Sequence, residues 1–258
     1  MIDLKLVREL PVSAASGLVR VDGGFYAVSD DEVRLLRFTQ AEQEFYPLLD
    51  LELPREPKAR KKAKPDFEAL CLKDGLIYVF PSGSKENRMV GVCFDPRTSE
   101  ARTIDLSRLY LKLMQTIPDL NIEGADYHNG QFLLLSRGNG PGRQNALIRV
   151  SADLTEVREL KLVDLEFGFT DLCVYQGELY FLAVKEDTQS TYDDGPFQGA
   201  ILGRLDLHGK VAAMETLEIS EKPEGLWIEG GEVFLVTDAD DASIPSKFYR
   251  GFLDVRKY

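Results

Sequence analysis

Five oxygen-bearing residues recur along this chain at nearly constant intervals: Ser16, Glu68, Glu123, Thr170 and Glu224. The intervals are 52, 55, 47 and 54 residues. Three of the five are carboxylates. If one fold axis gathers them, the carboxylates repel one another. At a separation of ~5–6 Å and an effective dielectric of ~20, each pair costs roughly 3 kcal/mol. A proton or a cation has to offset that. Carboxylates and hydroxyls are hard donors, suited to Ca²⁺ rather than to Zn²⁺. The two histidines, His128 and His208, fall outside the pattern, which further disfavours zinc. The competing reading is that the five bond backbone groups or water in a polar channel.

The elements that must position these residues form a repeat. Each of the five begins an apolar run, followed by a Gly-containing turn and a second apolar run. The turns are Gly23-Gly24, Asp74-Gly75, Asn129-Gly130, Gln176-Gly177 and Gly230-Gly231. Two β-rich runs joined by such a turn predict a hairpin. A third strand follows in every unit, for example Ala146–Val150, and a fourth in four units, for example Val157–Leu162. The last unit stops before its fourth strand. The missing strand stands at the other end of the chain, in Ile2–Leu10.

This predicts an all-β fold: a five-bladed β-propeller with four-stranded blades, its N-terminal strand closing the last blade. The whole chain, 1–258, reads as one domain. The segment from Leu106 to Met114 departs from the strand pattern and predicts a short helix. The run from Lys58 to Lys64 reads as a solvated basic loop. Gly138 to Gly142 reads as a mobile loop, since it lacks the Lys-Ser/Thr of a phosphate-binding loop.

Composition narrows the function. The chain has 43 acidic and 31 basic residues, a formal charge of −12. An acidic surface disfavours nucleic acid, whose phosphates need clustered Lys and Arg. No apolar run reaches the ~18 residues of a membrane span, and the N-terminus lacks the apolar core of a signal peptide. The expectation is a cytoplasmic protein with no membrane partner. Cys71, Cys93 and Cys173 have no metal-ligand spacing, and Cys71 and Cys173 are expected as buried free thiols.

In a hairpin, the end of the second strand lies beside the start of the first. The residues after each second strand should therefore ring the mouth that holds the axial oxygens. Among them are Asp30, Asp31, Lys85, Arg88, Arg137, Arg143, Lys185, Glu186, Asp238 and Asp240. Basic groups there suit an anionic small molecule above a cation. The corresponding chemistry is metal-assisted phosphoryl hydrolysis. Arg137 and Lys185 would neutralise developing charge, and Asp30 or Asp31 would act as general base. Each group also has an ordinary reading, as a turn residue or as a partner in an ion pair. Two alternatives compete with hydrolysis: a non-catalytic scaffold with a structural ion, and a glycosidase working through the axial carboxylates.

The residue order resembles the soluble calcium-dependent nucleotidases, the apyrase family of five-bladed propellers. In that family one Ser or Glu from each blade holds a central calcium, in the order Ser, Glu, Glu, Ser, Glu. Here Ser16, Glu68, Glu123, Thr170 and Glu224 follow that order, with Thr170 keeping the hydroxyl. Gly168-Phe169-Thr170 resembles the family's Gly-Phe-Ser, and Lys222-Pro223-Glu224-Gly225 its Lys-x-Glu-Gly. The resemblance implies a bound calcium and a phosphohydrolase acting on a nucleotide-like molecule.

Overall fold

A computed structural model describes residues 2–138, 144–186, 197–206 and 208–253. The chain opens with strand β1 (Lys5–Glu9). Blade 1 then consists of β2 (Ala15–Val21), β3 (Gly24–Ser29), β4 (Arg34–Phe38) and β5 (Gln43–Pro47). A short helix, α1 (Pro57–Ala63), leads into blade 2: β6 (Phe67–Lys73), β7 (Leu76–Pro81), β8 (Val90–Asp95) and β9 (Glu100–Asp105). Helix α2 (Ser107–Met114) joins blade 2 to blade 3, which holds β10 (Ile122–His128), β11 (Gln131–Ser136), β12 (Asn145–Ser151) and β13 (Val157–Val163). Blade 4 holds β14 (Gly168–Tyr175), β15 (Glu178–Glu186), β16 (Phe197–Leu205) and β17 (Val211–Leu217). Blade 5 holds β18 (Lys222–Glu229), β19 (Glu232–Asp238) and β20 (Lys247–Phe252). Its fourth strand is β1, which pairs antiparallel with β20, Lys5 opposite Arg250 and Glu9 opposite Lys247. The five four-stranded antiparallel sheets and the N-terminal closure match the expectation from the repeat. Closure leaves the last blade no missing outer strand.

The inner hairpins turn as their sequences require. Both central residues have positive φ in all five turns: Asp22-Gly23, Asp74-Gly75, Asn129-Gly130, Gln176-Gly177 and Gly230-Gly231. That is the geometry of a two-residue turn whose twist matches the flanking strands.

The core lies between blades. Five clusters of buried side chains fill the spaces where one sheet faces the next, and Trp227 packs against three of them. Helix α2 forms where expected and buries Leu109, Tyr110 and Leu113. Cys71 and Cys173 are buried free thiols, and Cys93 is half-buried. Among the described residues no helix is long and apolar enough to cross a membrane.

The basic run corrects the loop expectation. Residues 57–63 are helical because Glu56 caps the first turn, accepting from the backbone N–H of Lys58 and Ala59, and Pro57 suits that first turn. The run also ends inside the protein, since Lys64 is 6% exposed. The glycine-rich segment after Gly138 lies outside the described residues, as does Arg143.

Candidate metal centre at the propeller axis

The five axial positions are brought together by a shared backbone device. In blades 2 to 5 the innermost strand slips register against its neighbour at the axial residue. The slip falls between Phe67 and Ala69, between Ile122 and Gly124, between Phe169 and Asp171, and between Pro223 and Gly225. The residue left unpaired is Glu68, Glu123, Thr170 or Glu224. In blade 1 the slip begins just after Ser16. A bulge bends the strand and re-aims one side chain. Here it aims the same position of blades 2 to 5 at the axis.

All five residues are buried, none more than 7% exposed. Carboxylate oxygens of Glu68, Glu123 and Glu224 lie within 4.8 Å of one another. The hydroxyls point into the wall. Ser16 Oγ donates to the Glu68 carbonyl at 2.6 Å, and Thr170 Oγ1 to the Pro223 carbonyl at 2.7 Å. Each hydroxyl thus ties one inner strand to the next and keeps its lone pairs.

A second carboxylate group, Asp30, Asp66 and Glu68, is equally close, and Glu68 belongs to both. Four buried cations thread these acids. Lys64 pairs with Asp30, with Asp31 at 3.3 Å and with Asp66 at 3.3 Å. Arg88 Nη1 meets Asp66 at 2.5 Å. Arg137 pairs with Glu186 and stands 3.5 Å from Glu123 and 3.7 Å from Glu224. Lys222 Nζ reaches Glu224 at 3.2 Å, Glu186 at 3.5 Å and Asp240 at 2.7 Å. Asn121 Nδ2 donates to Glu123 Oε1 at 2.6 Å.

The charges do not balance. In this network six carboxylates (Asp66, Glu68, Glu123, Glu186, Glu224, Asp238) and those four cations have side chains or residues no more than 10% exposed. With all six ionised, two negative charges remain over among the described residues, before the more open Asp30, Asp31 and Asp240 are counted. Glu68 shows the imbalance most clearly. Among the described residues its carboxylate has neither an ion pair nor a hydrogen bond, although the residue is 7% exposed.

The acidities follow. Burial, with Asp66 and Glu123 close by, pushes the Glu68 carboxyl well above the usual range. Burial and Glu224 do the same to Asp238, which Lys222 only partly offsets. Burial lifts Asp30 to about 6, against the pull of Lys64. Burial alone would lower the Lys64 ammonium pKa, but Asp30, Asp66, Glu68 and Asp31 together raise it.

The remaining residues singled out from sequence are placed differently. Asp30 and Asp31 line a cavity of about 430 Å³ at the mouth, with Lys61, Lys64, Asp238 and Asp240. The Asp31 carbonyl accepts from Arg60 at 2.7 and 3.0 Å. Lys185 is away from the trio, exposed and paired with Glu166 at 3.0 Å. Arg137 is in the network itself, 4% exposed.

Sequence reasoning missed Asp66, Asn121 and the role of Lys222. A signal was present: each stands two residues before an axial glutamate, and residues two apart in a strand share a face. The equivalent residue of blade 4 is Gly168. A Cβ there would meet the Arg137 side chain at 2.9 Å, so the glycine makes room for the guanidinium.

Known proteins fix the fold and the family. Myxococcus xanthus glutaminyl cyclase superposes with a TM-score of 0.61 at 14% identity, over 98% of each chain. The PQQ-bound aldose sugar dehydrogenase of Streptomyces coelicolor gives 0.53 at 11% identity, again over 98% of each chain. Identities this low carry the propeller architecture and nothing about chemistry. No curated protein matches the chain. Residues 11–253 match the family described as "Family of unknown function (DUF6929)", and with nearly its whole length covered, the chain belongs to that family.

Proposed function

We propose that this chain is a calcium-binding propeller whose axial ion rests on Glu68, Glu123 and Glu224. The observation that carries the reading is Glu68, a residue 7% exposed whose carboxylate is shared by both acidic groups and has no ion pair among the described residues, Lys64 acting on it only beyond ion-pair distance. A divalent ion offsets two charges, the excess left by the buried network. Three oxygens within 4.8 Å of one another are spaced to share one ion with ligand distances of ~2.3–2.6 Å. The donors are hard, which favours Ca²⁺ over zinc. Ser16 and Thr170 are the remaining candidate ligands, through the lone pairs their donated hydrogen bonds leave. Arg137 and Lys222 act as positioning residues that hold Glu123 and Glu224. An ion so placed links blades 2, 3 and 5, which suits a structural role in a binding or scaffold propeller.

A second reading is hydrolysis of a phosphorylated or nucleotide-like small molecule. Asp30 favours it: a carboxyl with a pKa near 6, its Oδ1 without a hydrogen bond, on the wall of the 430 Å³ mouth cavity. A bound divalent ion supplies polarisation of a phosphate oxygen and acidification of water. Asp30 would take the proton as general base, with Asp31 beside it. The cavity's two lysines, Lys61 and Lys64, stand among five aspartates, so the bound ion would have to supply the positive charge for an anionic substrate. Lys185, paired with Glu166, would be a rim group, and Arg137 would act on the substrate only through Glu123 and Glu224.

Calorimetric titration with calcium tests the first reading, with one ion per chain expected and no binding overturning it. Phosphate release from ATP, ADP and 4-nitrophenyl phosphate, in calcium and in chelator, tests the second. Calcium binding without turnover leaves the scaffold reading alone.

A further inference from the structure

A second cavity, of about 370 Å³, lies in the cleft between blades 1 and 5, toward the face opposite the axial mouth. Its walls come from the closing strand β1, the end strands of blade 5 and the turns of blade 1. Three arginines stand in it: Arg8, Arg20 and Arg250. Its apolar wall is Phe25, Phe234 and Phe248, whose rings pack 4.8–5.9 Å apart.

The arginines differ in how they are neutralised. Arg250 bonds Glu232, and Arg20 bonds Glu229 at 2.6 Å while lying over the Phe25 ring at 5.1 Å. Arg8 has only neutral acceptors: the carbonyls of Thr39 at 2.8 Å and Glu9 at 3.1 Å, and Gln43 Oε1 at 2.6 Å. It meets no carboxylate within ion-pair distance among the described residues. Three guanidinium groups against two carboxylates leave the cleft one positive charge, in a chain whose net charge is −12. A guanidinium also keeps two N–H groups beyond the three that Arg8 uses.

We propose that this cleft is a small-molecule site for a planar aromatic anion. The ring would lie on the phenylalanine wall, and the acidic group would meet Arg8, whose fork geometry suits a carboxylate or similar oxyanion. The volume is that of a ligand pocket, and its lining sets an aromatic wall against six polar or charged residues, which suits a ligand with an apolar ring and a charged group. A ligand here touches both the closing strand and blade 1, so it braces the closure of the ring.

Titration calorimetry with three probes tests this: 2-naphthoate, the neutral 2-naphthylmethanol, and acetate. The expected result is one 2-naphthoate per chain, bound at least about tenfold more tightly than either other probe, as a charge-assisted hydrogen bond implies. The Arg8→Gln variant should remove that preference. The Gln40→Trp variant fills the cleft from an exposed turn position, so it should abolish binding without unfolding the protein, even if Arg8→Gln destabilises it. Glu68→Gln should leave 2-naphthoate binding unchanged, since the axial site is at the other face. Equal binding of 2-naphthoate and 2-naphthylmethanol, binding that survives Gln40→Trp, or no binding overturns the proposal.

Discussion

Replacing Glu68 with glutamine should change the sign of its effect with calcium. In the wild type, Glu68 shares a 4.8 Å neighbourhood with Glu123 and Glu224. At an effective dielectric of ~20, each such pair repels by about 3 kcal/mol. Arg137, 3.5 Å from Glu123 and 3.7 Å from Glu224, cancels much of this, and protonation of Glu68 cancels more. The net relief in Glu68→Gln is therefore about 2 kcal/mol, a gain in melting temperature of about 4–8 °C for a chain of this size. That gain belongs to chelated protein. With calcium at about a hundred times its dissociation constant, the wild type gains about 2.7 kcal/mol by mass action. The variant, short of one ligand and one charge, gains far less. Thermal melts of both proteins, in EDTA and in calcium, should thus place the variant above the wild type in the first condition and below it in the second. A variant less stable in EDTA, or one with an undiminished response to calcium, would refute the reasoning.

Three further outcomes follow from the same physics. Lys222 is 3% exposed and surrounded by Glu186, Glu224, Asp238 and Asp240, so Lys222→Met should cost about 3–5 kcal/mol in chemical denaturation, since it strands buried carboxylates. Burial lifts Asp126 to about 7, although the backbone N–H groups of Val174 and Tyr127 pull it down. The folded protein then holds a proton that the unfolded chain has lost, and stability falls between about pH 4 and pH 7, by at most about 4 kcal/mol from this group. A carboxyl NMR resonance titrating near 7, and missing from Asp126→Asn, checks it. Deleting residues 1–9 removes β1 and bares the edge of β20, so the truncated chain should aggregate or lose its cooperative melt, as seen by light scattering and calorimetry.

The repeat made the architecture legible, because each blade announces itself with a turn that needs positive φ at two residues and with apolar runs either side. The pairing of Lys5–Glu9 with Lys247–Phe252 was legible for a related reason: the last unit lacked a strand and the first residues had its pattern. The axial positions could be read as well, but their company could not. A register slip at Glu68 or Glu123 depends on how two strands pair, and residue types alone do not record it. Nor does spacing reveal that Ser16 and Thr170 spend their protons on neighbouring carbonyls, or that Arg137 turns inward to Glu186 while Lys185, one residue past the equivalent position of the next blade, turns out to Glu166. The Lys58–Lys64 run misled because charge density suggested solvent. Its final lysine instead folds under into a nest of aspartates, where the balance of burial and attraction decides, and composition cannot express that balance.

The measurement closest to the central claim is a crystal structure of the protein grown in calcium, with anomalous scattering collected for the ion. The account predicts one peak on the axis, with oxygens of Glu68, Glu123 and Glu224 at ~2.3–2.6 Å. An axis holding only water, with Arg137 bridging Glu123 and Glu224 and Glu68 protonated, would contradict it.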